Sequence, residues 1–248
     1  HPYAETRTIY IGIALAVTVL LLAFAAVATM LSLRLAWRHH QSEGVRNAYR
    51  MATEGTSDGF YIIAALRGAE RHGQDCTALL RQLNIQPALL DEPRARIAPE
   101  QFARLMQLLW ESLDDEYMGF GRQRSKRGTF AMMCHALIHC RTLEKALERG
   151  LLFYSLFPQG PRWQLTREGE MARLSLDDSQ LWDPDHFLSE CLLVIWHRLG
   201  SWLIGQRIRL YQATFSYPMP AHASEYDLLF PCPHVFGASH SSLVFPSR

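Results

Sequence analysis

Four residues that can ligate a metal stand close together in "FAMMCHALIHC": Cys134, His135, His139 and Cys140. His135 and His139 are four apart, the spacing that lets two imidazoles on one helix share an ion. Cys134 would point about 100° around that helix from His135. No second Cys/His group follows nearby in the sequence. The expectation is no metal site, and instead a packed helix over 130–140 whose polar edge faces a pocket.

A second candidate is "GRQRSKRG", residues 121–128, with Arg122, Arg124, Lys126 and Arg127 between glycines. Such a basic loop suits an anionic ligand or a nucleic-acid backbone. It carries no aromatic residues, so it is no platform for stacked bases. The plainer reading is a solvated loop. Asp114-Asp115-Glu116 reads as a surface acidic run, and Asp177-Asp178 trails a strand. GxSxG, P-loop, GxGxxG, HExxH and CxxC patterns are absent from the sequence. The residues therefore point to a binding module rather than an enzyme, and to no cofactor.

The elements that would position these residues change character along the chain. "APEQFARLMQLLWESL" repeats Phe102, Leu105, Met106, Leu109 and Leu113 at helical spacing. Thr142 is placed to cap "LEKALERGLLFYSLF". "RWQLTREGEMARLSL" alternates apolar and polar residues around Glu168-Gly169, which is a hairpin pattern. A long apolar helix follows from Asp183-Pro184 to Gly205. After it come a strand ending at Pro218, a short helix in "HASEYDLLF", and strands at Val235-Phe236 and Leu243–Phe245. Helices first and strands later read as α+β, a helical amino-terminal half followed by a small antiparallel sheet with packed helices.

Length and composition bound the rest. The chain has 248 residues, enough for one domain of about 150–200 residues and an appendage. Lys and Arg number 25 against 24 Asp and Glu, a net charge of +1, which argues against a chain-wide nucleic-acid footprint. The odd count of five cysteines at wide spacing implies no disulfide framework and favours a reducing compartment.

Ile9 to Leu33 carries no Asp, Glu, Lys or Arg, and at about 1.5 Å per residue it exceeds a ~30 Å hydrocarbon core. Arg34, Arg38, Arg46 and Arg50 follow it, so the portion after residue 34 is expected on the cytoplasmic side. Residues 1–35 thus read as a membrane anchor with its span at 9–33, 36–58 as a linker, and 59–248 as the working domain. That domain would be tethered to the bacterial inner membrane. Two alternatives stay open. Ala26-Val27-Ala28 could mark a cleaved signal peptide, or Met51 could be the true start, with residues 1–50 extraneous and the protein cytoplasmic. The first residue is His1 and the last is Arg248, which leaves a cut at either end open.

Three stretches resemble a known family: "LLRQLNIQPALLDEPRARIAPEQFARLM", "RGTFAMMCHALIHCRTLEKALERGLLFY" and "YDLLFPCPHVFGASHSSLVF". Their order and spacing are similar to the amino-terminal sensor domain of AraC-type bacterial transcription regulators, in the arabinose-binding-like subtype that includes ornithine-utilisation regulators. The likeness runs from about residue 60 to 248. It implies a sensor that binds a small effector, a homodimer, and DNA binding only through a carboxy-terminal pair of helix-turn-helix motifs absent from this sequence. A membrane-anchored sensor of a small molecule, or of haem or a metal through His135, with another output is the alternative. The resemblance does not fix the effector site. The residues themselves place it where helix 130–140 faces the sheet, walled by Met132, Met133, His135, Ala136, His139, Phe153, Trp163, Trp196 and Tyr211.

Overall fold

The computed structural model describes residues 59–88 and 97–247. Helix α1, Gly59–Arg71, forms because Tyr61, Ile62, Ala65, Leu66 and Ala69 repeat at three and four and are buried along one stripe. It stops at Gly73, where φ is +76° and the Gln74 N–H donates to the Ala69 carbonyl at 3.1 Å. Helix α2, Cys76–Gln82, starts on Asp75, whose carboxylate accepts from the Ala78 N–H at 3.0 Å. Helix α3, Pro99–Leu113, buries the expected stripe of Phe102, Leu105, Met106, Leu109 and Leu113. Helices α4, Thr129–Leu137, and α5, Leu143–Ser155, follow, and the Thr142 hydroxyl caps α5 by accepting from the Lys145 N–H at 3.3 Å.

Strands β1, Arg162–Glu168, and β2, Met171–Asp177, form the expected hairpin, with Gly169 at φ +61° in its turn. Helix α6, Phe187–Leu203, starts later than Asp183-Pro184 suggest. The Asp183 carboxylate instead reaches forward, accepting from the Ser189 N–H at 2.8 Å and the Ser189 hydroxyl at 2.9 Å. Strand β3 is Gln212–Phe215, helix α7 Tyr226–Leu229, β4 His234–Phe236 and β5 Ser241–Pro246. The sheet order is β1-β2-β5-β3-β4. The sheet is mixed, not wholly antiparallel as expected, because β3 and β4 run parallel. A 3-10 turn at Ala223–Glu225 and then α7 carry the chain back to start β4 in the direction of β3, the crossover a parallel pair needs. Seven α-helices and five strands among the described residues make an α+β fold.

One face of the sheet closes on the helices. The register sets Leu174 against Leu243 and Ala172 against Phe245, and Leu174, Leu243 and Phe245 border a small space shared with Trp196, His197 and Gly200 of α6 and Leu147 of α5. His197 is buried there, and its Nε2–H donates to the Ile208 carbonyl at 2.8 Å. Burial pulls its pKa down to about 4. Its Nδ1 has no hydrogen-bond partner among the described residues, so a second proton would have no acceptor. The imidazole is thus neutral in the folded chain and free to protonate near 6.5 when unfolded. The stability tied to it is whole above pH 6.5 and drains away as pH falls toward 4, by about 3 kcal/mol in all. Urea titrations at pH 7 and pH 4.5 are expected to show this loss in the native chain and much less of it in His197→Gln. Equal losses would refute the assignment.

A polar lock joins α6 to both ends of the domain. Glu190 is buried, and its Oε2 accepts from the Tyr61 hydroxyl at 3.0 Å. Its Oε1 accepts from the Tyr226 hydroxyl and lies 3.2 Å from that of Tyr217, which is itself 3.0 Å from the Tyr226 oxygen. His222 closes the group with Nε2 3.5 Å from Oε1, its ring stacked on Phe60 at 3.7 Å. Burial first, and then the Glu190 charge, holds all three phenols well above their ordinary pKa. They act as fixed donors.

Two expectations fall outside this part of the chain. The span at 9–33 and the linker at 36–58 lie outside the described residues. The expected location, a domain tethered to the inner membrane, is corrected: no helix among the described residues is long and apolar enough to cross a membrane.

Candidate effector cavity

The cavity lies between helices, and the sheet reaches it only through Trp163. Helix α3 contributes Phe102, Met106 and Trp110 from its buried stripe and the flank beside it. Helix α4 contributes Phe130 and Met133, α5 Tyr154, and α6 the run Leu188, Cys191, Leu192, Ile195 and Trp196. The space is about 70 Å³. Trp196 is its corner post, edge-on to Trp163 at 5.6 Å and to Tyr154 at 6.2 Å between ring centres.

The remaining wall is the loop after α3, which supplies Glu116, Tyr117 and Met118. Asp114-Asp115-Glu116 is not the surface run the sequence suggests. Asp115 is 1% exposed. Its carboxylate accepts from the backbone N–H groups of Tyr117 at 3.0 Å, Gly119 at 2.9 Å and Ser125 at 2.7 Å. Glu116 takes the N–H groups of Gly128 and Phe130, each at 2.8 Å, and so holds the first turn of α4. Burial raises the Glu116 pKa, and these two bonds oppose the rise. Gly68 makes the loop's seat: a Cβ there would stand 2.1 Å from the Met118 carbonyl oxygen.

Of the nine expected wall residues, three line the cavity: Met133, Trp163 and Trp196. Met132 is 64% exposed, because adjacent helical positions differ by about 100° and Met133 takes the inner one. His135 and His139 are exposed. Helix α4 ends at Leu137, where the Cys140 N–H donates back to the Leu137 carbonyl at 2.9 Å, so the two histidines do not share a helical face. Among the described residues no group of His, Cys, Asp or Glu is arranged to hold a metal. Ala136 is half-buried, and its carbonyl accepts from the Arg149 guanidinium at 3.1 Å. Phe153 is half-buried against Tyr154 and Phe157. Tyr211 is 68% exposed and borders a separate groove with Arg209, Gln212 and Pro231 to Pro233. Its N–H donates to the Val244 carbonyl at 2.7 Å, but β3 only begins at Gln212, and the ring stays outside.

In the basic loop, Arg122, Arg124, Lys126 and Arg127 are all exposed. Arg127 approaches Glu111 at 3.7 Å. The loop is anchored from inside by Asp115 and Glu116 and points its cations into solvent.

The buried thiols are not nucleophiles. Burial pushes Cys134 up to about 12 and Cys191 well above its ordinary value. Gly150 of α5 fixes the corner post, since a Cβ there would stand 2.5 Å from the Trp196 ring. Gly150→Ala must drive Trp196 into the cavity, the adjacent free space. It is expected to destabilise the chain by about 1–2 kcal/mol despite a gain of about 1 kcal/mol in helix propensity. Urea melts check the stability change, and a crystal structure of the variant checks the narrowed cavity.

An α+β domain with an apolar cavity, seven of whose fifteen wall residues are aromatic, and one half-buried carboxylate in that wall has the features of a small-ligand binding module. The chain matches, over residues 73–248, the family described as the arabinose-binding domain of AraC transcription regulators, N-terminal, and it belongs to that family. That family is described as a domain of transcription regulators, not as an enzyme. The chain is also similar to the ornithine utilization regulator of Pseudomonas aeruginosa, 23% identical over 190 residues, which covers 76% of this chain and 56% of that relative. The chain thus spans little more than half the length of the curated relative it matches.

Proposed function

We propose that this chain is the effector-sensing part of an AraC-type regulator and that the effector sits in the cavity between α3, α4 and α6. The observation that carries this is the wall itself: fifteen residues from four helices, a loop and a strand converge on one space with a single ionisable carboxylate in it. At about 70 Å³ the space is smaller than ordinary ligand pockets. An effector must therefore favour a state in which α6 or the 116–118 loop has moved outward. That differential preference is what shifts a population of conformations and carries a signal. DNA contact belongs, on this reading, to a helix-turn-helix portion of the full regulator, and the sensor pairs as a homodimer.

The test is a thermal-denaturation screen of small metabolites against the native chain and Leu192→Trp, which fills the cavity. A ligand at a hundred times its Kd should stabilise the native chain by about 2.7 kcal/mol. Compounds that raise Tm in the native chain but not in Leu192→Trp are expected. Hits that are indifferent to the filling residue would contradict the assignment.

A further inference from the structure

We propose that the cavity takes a small, mainly apolar effector that is neutral or cationic and offers one hydrogen-bond donor, in the class of aryl- or alkylamines and their alcohols. Sugars and carboxylates are excluded. The inference rests on the cavity being the sensor's binding site.

The chemistry of the wall decides it. Among the residues that line the space none is Lys, Arg or His, so an anionic ligand would be buried without a counter-charge and beside the Glu116 carboxylate. Burying an unpaired charge costs several kcal/mol. A pentose brings four hydroxyls, and each one left unpaired costs about 1–3 kcal/mol. The oxygen acceptors among the side chains of the wall are the Glu116 carboxylate and the Tyr117 and Tyr154 hydroxyls, too few for four hydroxyls that must each also donate. An amino acid would leave its carboxylate in the same position as any other anion.

Glu116 supplies the one charged anchor, in a wall whose other polar side-chain groups are tyrosine hydroxyls and tryptophan N–H groups. Its two oxygens already accept from Gly128 and Phe130. A carboxylate has about four lone-pair sites, so it can also accept from an ammonium or hydroxyl group on a ligand. The rest of the wall is adaptable. Met106, Met118 and Met133 line the space, and methionine has three rotatable bonds and a polarisable sulfur that packs well against aromatic rings. Met118 sits in the left-handed region at φ +52° on the loop held by Asp115, so the most conformationally unusual wall residue belongs to the same segment as the anchor. An aromatic ring that pushes the methionines apart while its donor reaches Glu116 satisfies every feature of this wall.

Ligand-observed NMR titration of the full 248-residue chain with benzylamine, benzyl alcohol, benzoate, L-arabinose and L-ornithine tests the class. Benzylamine and benzyl alcohol are expected to bind saturably, each at least tenfold more tightly than benzoate, with no saturable binding of arabinose or ornithine. Leu192→Trp should abolish the binding. Glu116→Gln should erase the preference for benzylamine over benzoate, with circular dichroism reporting whether α4 still folds. Should that variant not fold, the charge series on the native chain decides alone. Benzoate or arabinose binding as tightly as benzylamine, and lost in Leu192→Trp, would overturn the ligand class and leave the cavity as the sensor's site. No saturable binding of any probe, or binding that survives Leu192→Trp, would overturn the site and the class with it.

Discussion

Glu190→Ala is expected to lower the stability of the domain by about 3–5 kcal/mol. The substitution leaves the hydroxyls of Tyr61, Tyr217 and Tyr226 buried around an empty position. A buried donor without an acceptor costs about 1–3 kcal/mol, and bonds to a charged acceptor lie at the upper end of the range. Removing a buried charge returns part of that, because the carboxylate itself was costly to desolvate. The remainder is a large share of a total stability of about 5–15 kcal/mol. For a domain of this size it lowers Tm by roughly 10 °C. Glu190→Gln keeps one oxygen acceptor and should lose about half as much. The loss should fall on α1 and α7 first, because Tyr61 and Tyr226 tie those helices to α6. Hydrogen exchange of their amides reads that directly. A Tm within a degree or two of native for Glu190→Ala would mean that the tyrosines find other partners and that the lock is not what joins these elements.

Asp115→Ala is expected to be as damaging and to damage binding as well. Three backbone N–H groups converge on this one carboxylate, at 2.7 to 3.0 Å. Without it they are left inside a loop that is otherwise packed against Gly68 of α1. Three orphaned donors at about 1–3 kcal/mol each give a loss of roughly 3–5 kcal/mol once water reaches part of the loop. The same loop carries Glu116, Tyr117 and Met118 to the cavity wall. Asp115→Ala is therefore predicted to weaken benzylamine binding at least tenfold in the protein that remains folded. Asp115→Asn retains one oxygen as acceptor, presents an NH₂ group toward one of the three donors, and should fall between. Arg124→Ala, at an exposed position on the same loop, serves as the control and should change neither quantity. Unfolding midpoints and titrations on the three variants decide it.

These predictions involve groups that sequence reading missed, and the reason is physical. Local signals were legible where one turn of chain decides the outcome. Thr142 caps α5, Gly73 and Gly205 end their helices, and Gly169 turns the hairpin, because each acts on neighbours within a few residues. The stripe of α3 was legible as a buried face, and Phe102 and Met106 from that stripe border the cavity. What periodicity does not state is which part of a buried face borders a void, since a wall residue and a core residue have the same hydrophobic pattern. Of the expected wall, Met133, Trp163 and Trp196 border the space, and so do Leu188, Cys191, Leu192 and Ile195, which the sequence did not single out as wall residues although they share α6 with Trp196. Asp115 was misread because an acidic triplet at the end of a helix has the composition of a surface turn. Its burial follows from the loop folding over it, which is a tertiary event. The parallel pairing of β4 was hidden for a related reason: strand direction depends on how the chain returns through the 3-10 turn and α7, and no residue in β4 encodes it.

The central claim is that the space between α3, α4 and α6 receives the effector, and the methyl groups of its own wall report on it. A carbon–proton spectrum of the methionine methyls, recorded as benzylamine is added to the chain, is the most direct measurement. The account predicts saturable shifts of Met106, Met118 and Met133, while Met132 and Met219, both exposed, stay in place. Shifts confined to Met132 or Met219, with the three wall methyls unmoved, would contradict it.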